Sequence, residues 1–241
     1  MKPMQEGHKH PLSLMIAQIN SIFAEIGFVF AEGPEAETEY YNFDQLNFKK
    51  DHPARDLQDT FWFKTEDVTE PMLLRTQTSP VQVRYMENHE PPIRVIVPGK
   101  VFRNEATDAT HEAQFHQFEG FYVDKGVTLG HLKGTLEYFF TRFFNGDVEI
   151  RLRPSYFPFV EPGVEVDMML KNSNSKLANR WIEIMGAGMV HPNVLRNCGI
   201  DPKVYSGFAF GMGIDRLGVM KYGIDDIRHI YSGDLRFVNQ F

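Results

Sequence analysis

Residues 99–123 read GKVFRNEATDATHEAQFHQFEGFYV. The pattern predicts a strand, a polar loop and a returning strand. Arg103 and Glu105 stand two apart on the first strand, and His111 lies in the loop. Phe115, Gln117 and Glu119 follow on the second, again at a spacing of two. Side chains two apart on a strand share a face. One surface therefore carries a cation, carboxylates, an amide and an aromatic ring, a set suited to holding a nucleotide triphosphate beside an amino acid. A wetted hairpin face is the plain alternative, but a phenylalanine among the polar positions does not suit it.

Outward from this hairpin the pattern stays that of an antiparallel sheet. IRVIV at 93–97 predicts a strand that Pro98 and Gly99 interrupt before the hairpin begins. Upstream, Leu12, Met15, Ile16, Ile19, Ile22, Phe23 and Ile26 recur at helical spacing, with Pro11 in the first turn and Gly27 as the stop. FVFAEG then reads as a strand ending at Pro34, and residues 38–70 are irregular and polar. A helix over 79–87 is expected, capped by Ser79 with Pro80 at its first position. Downstream come a long helix over 129–144 and the strands VEIRLRP, GVEVDMML and WIEIMGAGMV, with a turn at Asn172-Ser173-Asn174-Ser175. A short helix from Pro192 to Gly199, the strand GFAFGMG, a helix through Lys221 and a short amphipathic tail complete the chain. Strands outnumber helices and strict βα alternation is absent. The reading is an α+β fold, an antiparallel β-sheet flanked by helices, forming a single domain over 1–241.

Composition excludes several classes. A net charge of −7 means that the chain as a whole is not a nucleic-acid-binding surface, so affinity for a nucleic acid must come from a local patch or a partner. The single cysteine, Cys198, forbids an intramolecular disulfide and reads as a small buried hydrophobe. No signal peptide and no apolar run near the length of a membrane span is present, so a cytoplasmic protein is expected.

Beyond the hairpin, Arg216 follows the last strand in GMGIDRLG; with Arg103 it could bracket a polyphosphate from both ends through forked guanidinium contacts. Gly207, Gly211 and Gly213 do not form a P-loop and suit places of close backbone approach. Ala209 and Gly211, two apart, leave a hollow on one strand face. Phe157 and Phe159 in RPSYFPFVEP, with Glu161 continuing their face, offer rings to fill it. Two phenylalanines opposite that hollow describe a slot for a flat apolar ring. HEAQFH at 111–116 is one residue too long for a zinc motif. Magnesium, held by one or two carboxylates plus substrate phosphates, has Glu161 and Glu119 as candidates. No Ser-His-Asp or Cys-His arrangement stands out.

Seven strings now carry a resemblance: YYNFDQLNF, DHPARDLQDTFWF, LLRTQTSPVQVRYM, VFRNEATDATHEAQFHQFEG, PSYFPFVEP, GAGMVHPNVLR and GFAFGMGIDRL. From about Gly7 to Phe241 the chain resembles the α subunits of bacterial phenylalanyl-tRNA synthetases, a class II aminoacyl-tRNA synthetase family. The resemblance implies the class II catalytic fold, with the hairpin and GMGIDR as class II motifs 2 and 3. It implies ATP and phenylalanine as substrates, tRNA as acceptor and Mg²⁺ as cofactor. Carried over, Arg103 would hold the α-phosphate and the attacking carboxylate, and Glu105 would read the adenine amino group. Phe115 would stack on adenine, His111 would lie near the outer phosphates, and Arg216 would clamp the γ-phosphate. Trp62, Ser79, Gln117 and Glu119 would hold the amino acid's polar groups. Phe157 and Phe159 would meet its ring over Ala209 and Gly211, and Glu161 would contribute to a magnesium site shared with a β subunit. An α2β2 assembly is the implied partner state, with a homodimer if the chain stands alone, since the first helix and strand match class II motif 1. Two departures are Gln77, where members often carry histidine, and Asp215, where glutamate is commoner. The tRNA-reaching N-terminal helical arm of many members is missing from the sequence. That permits a second reading, a core or paralogue that activates an amino acid without charging tRNA by itself.

Overall fold

The computed structural model describes residues 7–56, 59–64, 70–109, 111–171 and 179–241. The amphipathic stretch near the start forms α1 (Pro11–Ala24), and Gly27 then turns the chain at a φ of +82°. β1 (Val29–Phe30), β2 (Ala36–Thr38) and β3 (Met72–Leu74) are short. α2 (Ser79–Met86), β4 (Ile93–Phe102) and β5 (Gln114–Asp124) follow, then α3 (Leu129–Phe144). β6 (Val148–Phe157), β7 (Val160–Leu170) and β8 (Ile182–Val190) lead to α4 (Pro192–Asn197) and β9 (Ser206–Gly213). α5 (Ile214–Tyr222), α6 (Arg228–Tyr231) and α7 (Leu235–Val238) close the chain.

Seven strands form one sheet in the order β1-β4-β5-β9-β8-β7-β6, while β2 and β3 pair separately. All pairings in the large sheet are antiparallel except β1 with β4, so the antiparallel α+β expectation describes the molecule. Alternation along β5 and β9 sorts side chains to two faces. Phe118, Phe208 and Phe210 turn toward α1, α3 and α5, where Phe23 stacks on Phe139 at 4.8 Å and on Phe210 at 5.6 Å. Gln117, Glu119, Phe121, Ala209 and Gly211 occupy the opposite face, part of which is covered by α2 and α4. One face is thus committed to core, and the other carries polar side chains over small ones.

Several local expectations change. Pro98 and Gly99 do not interrupt a strand: β4 runs through them, with Pro98 opposite Phe118 and Gly99 opposite Gln117. Arg103 donates its backbone N–H to Ala113 on the β5 side, whereas Phe102 donates to Arg75 on the other edge. Even-numbered residues therefore turn away from β5, and the missing N–H of Pro98 costs no ladder bond. β4 ends at Phe102, so Arg103 and Glu105 lie just beyond the pleat, where Glu105 N–H turns back onto Arg103 O at 2.9 Å. The strand expected before Pro34 is only Val29–Phe30, with Ala31 N–H still donating to Ile96 O at 3.0 Å. Thr78, not Ser79, occupies the N-cap of α2. The turn expected at Asn172-Ser173-Asn174-Ser175 lies outside the described residues. Among the described residues, no helix is long and apolar enough to cross a membrane.

Candidate active site

Glu119 anchors the polar face of the sheet. It is buried in the middle of β5, and four donors converge on it. Thr78 N–H reaches Oε1 at 3.0 Å, Ser79 Oγ reaches Oε2 at 2.5 Å, and Gln82 Nε2 and Gln117 Nε2 add bonds of 2.7 and 3.0 Å. Burial pushes the carboxyl upward while these donors pull it down. Three of the four come from the first turn of α2, whose N-terminus favours an anion.

Beside Glu119 lies a cavity of about 350 Å³ whose walls include Ser79, Gln117, Glu119, Phe157, Phe159, Ala209 and Gly211. Its aromatic side is built by a tight turn. Phe157 ends β6 and Val160 begins β7, so Phe159 sits in the two-residue connection and Glu161 on the returning strand. The three residues do not continue one strand face as their spacing implies. The turn nonetheless brings the rings of Phe157 and Phe159 together at 5.9 Å, and Phe48 lies 5.8 Å from Phe159. Two glycines keep this space open. A Cβ at Gly186 would stand 2.7 Å from the ring of Phe157, and one at Gly211 would stand 2.9 Å from Gln117 and Glu119.

A second cavity, of about 520 Å³, adjoins the first; Arg103, Gln117 and Gly211 line both. Its walls also include Glu105, His111, Glu112, Phe115, Gly213, Asp215, Arg216 and Asp225. Arg103 lies 5.1 Å over the ring of Phe115 and donates from Nε to Thr76 O at 3.3 Å. His111 is exposed and paired with Asp108 at 3.0 Å. Arg216 is exposed, and among the described residues nothing ties its guanidinium down. A buried carboxylate thus closes one cavity, two arginines rim the other, and Arg103 stands at the junction.

The chain matches the family described as tRNA synthetases class II core domain (F) over residues 1–241. It is 56% identical over 245 residues to the phenylalanine–tRNA ligase alpha subunit of Alkaliphilus oremlandii (strain OhILAs), covering 100% of this chain and 71% of that protein. The chain belongs to the phenylalanine–tRNA ligase α-subunit family of class II synthetases. The same-named subunit of Bacillus subtilis (strain 168) is 53% identical, covering 99% of this chain and 70% of that protein. At 18% identity, the pyrrolysyl-tRNA synthetase of Desulfitobacterium hafniense shares the fold, with a TM-score of 0.69 over 92% of this chain and 73% of that one.

For a member of this synthetase family, the walls gather most residues marked in the sequence. Arg103, Glu105, His111, Phe115 and Arg216 line the second cavity. Ser79, Gln117, Glu119, Phe157, Phe159, Ala209 and Gly211 line the first. Trp62 lies on neither wall; its ring stacks on Phe43 at 6.2 Å and its backbone bridges to Leu73. Glu161 is exposed and also off both walls, and among the described residues no three His, Cys, Asp or Glu side chains group as a metal would require. Gln77 lines the first cavity with its Nε2 on Asn42 O at 3.2 Å.

Three wall features escaped sequence reasoning. Gln82 falls one turn after Ser79 on α2, and that i, i+3 spacing was a usable signal. Phe48 and His52 arrive from an irregular segment that carries no period. Asp215 was marked only as a departure, yet it is buried and accepts from Tyr231 Oη at 2.7 Å and from His116 N–H at 2.9 Å. Burial raises its carboxyl to about 6. Cys198 is buried as expected and its thiol is pushed up to about 12, leaving it inert.

Proposed function

We propose that this chain is the catalytic subunit of a phenylalanine–tRNA ligase, activating phenylalanine with ATP and passing the phenylalanyl group to tRNA. One observation carries the reading: an aromatic-walled slot with a buried glutamate opens, past Arg103, Gln117 and Gly211, into an arginine-rimmed hollow of nucleotide size. The names of the relatives that match the chain throughout support it.

In this reading the phenyl ring lies against Phe157 and Phe159 over Ala209 and Gly211. Ser79, Gln117 and Glu119 meet the ammonium and carboxylate groups. Phe115 stacks on adenine, Glu105 accepts from its amino group, and His111 and Arg216 face the outer phosphates. A carboxylate oxygen of phenylalanine attacks the α-phosphorus; the bond to the bridging oxygen breaks and pyrophosphate leaves with the electron pair. Arg103 neutralises charge building on the α-phosphate while Arg216 holds the leaving group. A ribose hydroxyl of the tRNA end then attacks the carbonyl carbon and AMP departs. Neither step needs a covalent bond to the protein, so positioning and charge complementarity supply the catalysis.

Magnesium fits as an ion carried by ATP, since Glu112 and Asp225 offer single carboxylates on the hollow's wall. When bound, the ion would offset phosphate charge. Glu161, a lone exposed carboxylate, fits a metal only where another chain completes the set, in keeping with a β subunit beside this one. An apolar slot cannot bond a tyrosine hydroxyl, so rejection of tyrosine rests on tightness and reaches only about 10²-fold. The test is phenylalanine-dependent exchange of pyrophosphate into ATP by the purified chain, with and without the β subunit. Exchange is expected at least in the assembled enzyme; none under either condition overturns the reading.

A further inference from the structure

A short C-terminal strap crosses the nucleotide hollow and ties together the elements that form it. Residues 225–231 leave α5 and run back over the hairpin loop. The strap's Ile227 donates its N–H to Ala109 O at 3.1 Å in that loop, and Ile227 and Asp225 line the hollow. Ile230 O accepts from His10 Nε2 at 2.9 Å, while the Nδ1 of the same ring caps α1 by accepting from Leu12 N–H. Tyr231 makes the central contact: its hydroxyl donates to Asp215 Oδ1 at 2.7 Å and lies 3.1 Å from His116 N–H.

The His116 contact has a structural cause. The β5–β9 ladder ends at the Gln117–Gly213 pair, because the chain enters α5 at Ile214. His116 N–H, one residue further out, therefore has no strand carbonyl opposite it. Asp215 Oδ2 takes that place at 2.9 Å, so a side chain extends the ladder beyond the last strand residue. Tyr231 saturates the other carboxylate oxygen and lays its ring parallel to that of His116, at 6.0 Å and 10°. Arg216 follows Asp215 directly and Gln117 follows His116 directly, and both line the hollow. A shift of the Asp215 carboxylate would move a rim residue on each side.

We propose that Tyr231 is a positioning residue for the nucleotide hollow, acting through Asp215 to hold Arg216 and the hairpin in register. The inference rests on the reading of that hollow as the ATP site.

The experiment uses the full chain assembled with its β subunit and the variant Tyr231→Phe, which keeps the ring on His116 and removes only the hydroxyl. Affinity for a non-hydrolysable ATP analogue is measured by titration calorimetry, and KM for ATP and for phenylalanine by pyrophosphate exchange. The variant is expected to bind the analogue about tenfold more weakly, as loss of one hydrogen bond to a charged group allows. KM for ATP rises in parallel, and KM for phenylalanine changes less than twofold. Added to Asp215→Asn, Tyr231→Phe brings no further loss. Unchanged nucleotide affinity, equal weakening of both substrates, or additive effects in the double variant would each overturn the proposal. A wild-type enzyme that binds the analogue without exchanging pyrophosphate refutes the ligase reading alone, and the calorimetric comparison still decides the role of Tyr231. A wild-type enzyme that binds no nucleotide overturns both.

Discussion

Ser79 and Glu119 stand 40 residues apart in the chain and 2.5 Å apart in space, hydroxyl to carboxylate, at the buried end of an aromatic slot. The contact joins the first turn of α2 to the middle of β5 and holds a saturated carboxylate against the cavity wall. Four donors and no acceptor face that carboxylate, so its chemistry cannot be exchanged for an amide.

Glu119→Gln places an amide nitrogen among those donors. The expected cost is about 1–3 kcal/mol of folding stability, measured by denaturant unfolding, because one buried donor loses its partner. KM for phenylalanine should rise at least tenfold (on the order of one charge-assisted hydrogen bond) with KM for ATP unchanged. An equal rise in both would remove Glu119 from the amino-acid end.

The slot should respond to single methyl groups in opposite directions. Gly186→Ala sets a Cβ 2.7 Å from the Phe157 ring, so the ring must move into the slot and KM for phenylalanine should climb about tenfold or more. Ala209→Gly should admit para-substituted phenylalanines, read as their kcat/KM relative to phenylalanine; unchanged selectivity takes Ala209 off the slot floor.

Arg103 touches both cavities, and its loss should therefore appear in the chemical step. Arg103→Ala is expected to lower the pyrophosphate exchange rate on the order of 10²–10³-fold, the usual effect of removing a group that meets developing charge. Binding of phenylalanine alone, measured by calorimetry, should change far less.

Asp215 provides a pH test. Burial raises its folded carboxyl to about 6 from the ordinary aspartate value of 3.8, so the folded state binds the proton more tightly than the unfolded state does. Its contribution to stability is complete below the unfolded value and is lost as pH rises through about 6. Relative to Asp215→Asn, the wild type should lose about 2 kcal/mol of unfolding free energy between pH 4 and pH 7. A flat difference across that window would mean that burial does not perturb this carboxyl.

The sequence exposed these features unevenly, for a physical reason. Repeats of two and of 3.6 are local, and they disclosed α1, α3, the hairpin and the shared face of Phe115, Gln117 and Glu119. The three-residue strands β2 and β3 are too short to show any period. Phe157, Phe159 and Glu161 have strand spacing but straddle a turn, since two-residue spacing cannot distinguish a strand from a tight connection. Pro98 looked like a break because the sequence does not reveal which edge of β4 its nitrogen faces.

Alternation along each strand, helix periodicity and the matching strings determined from sequence alone the antiparallel class II fold and its membership in the phenylalanine–tRNA ligase α-subunit family. Tertiary structure alone decided what surrounds Glu119, how the two cavities meet at Arg103, and that Tyr231 reaches back to Asp215. Those are contacts between residues distant in the chain. They depend on strand order and on where each strand ends, and local composition carries neither.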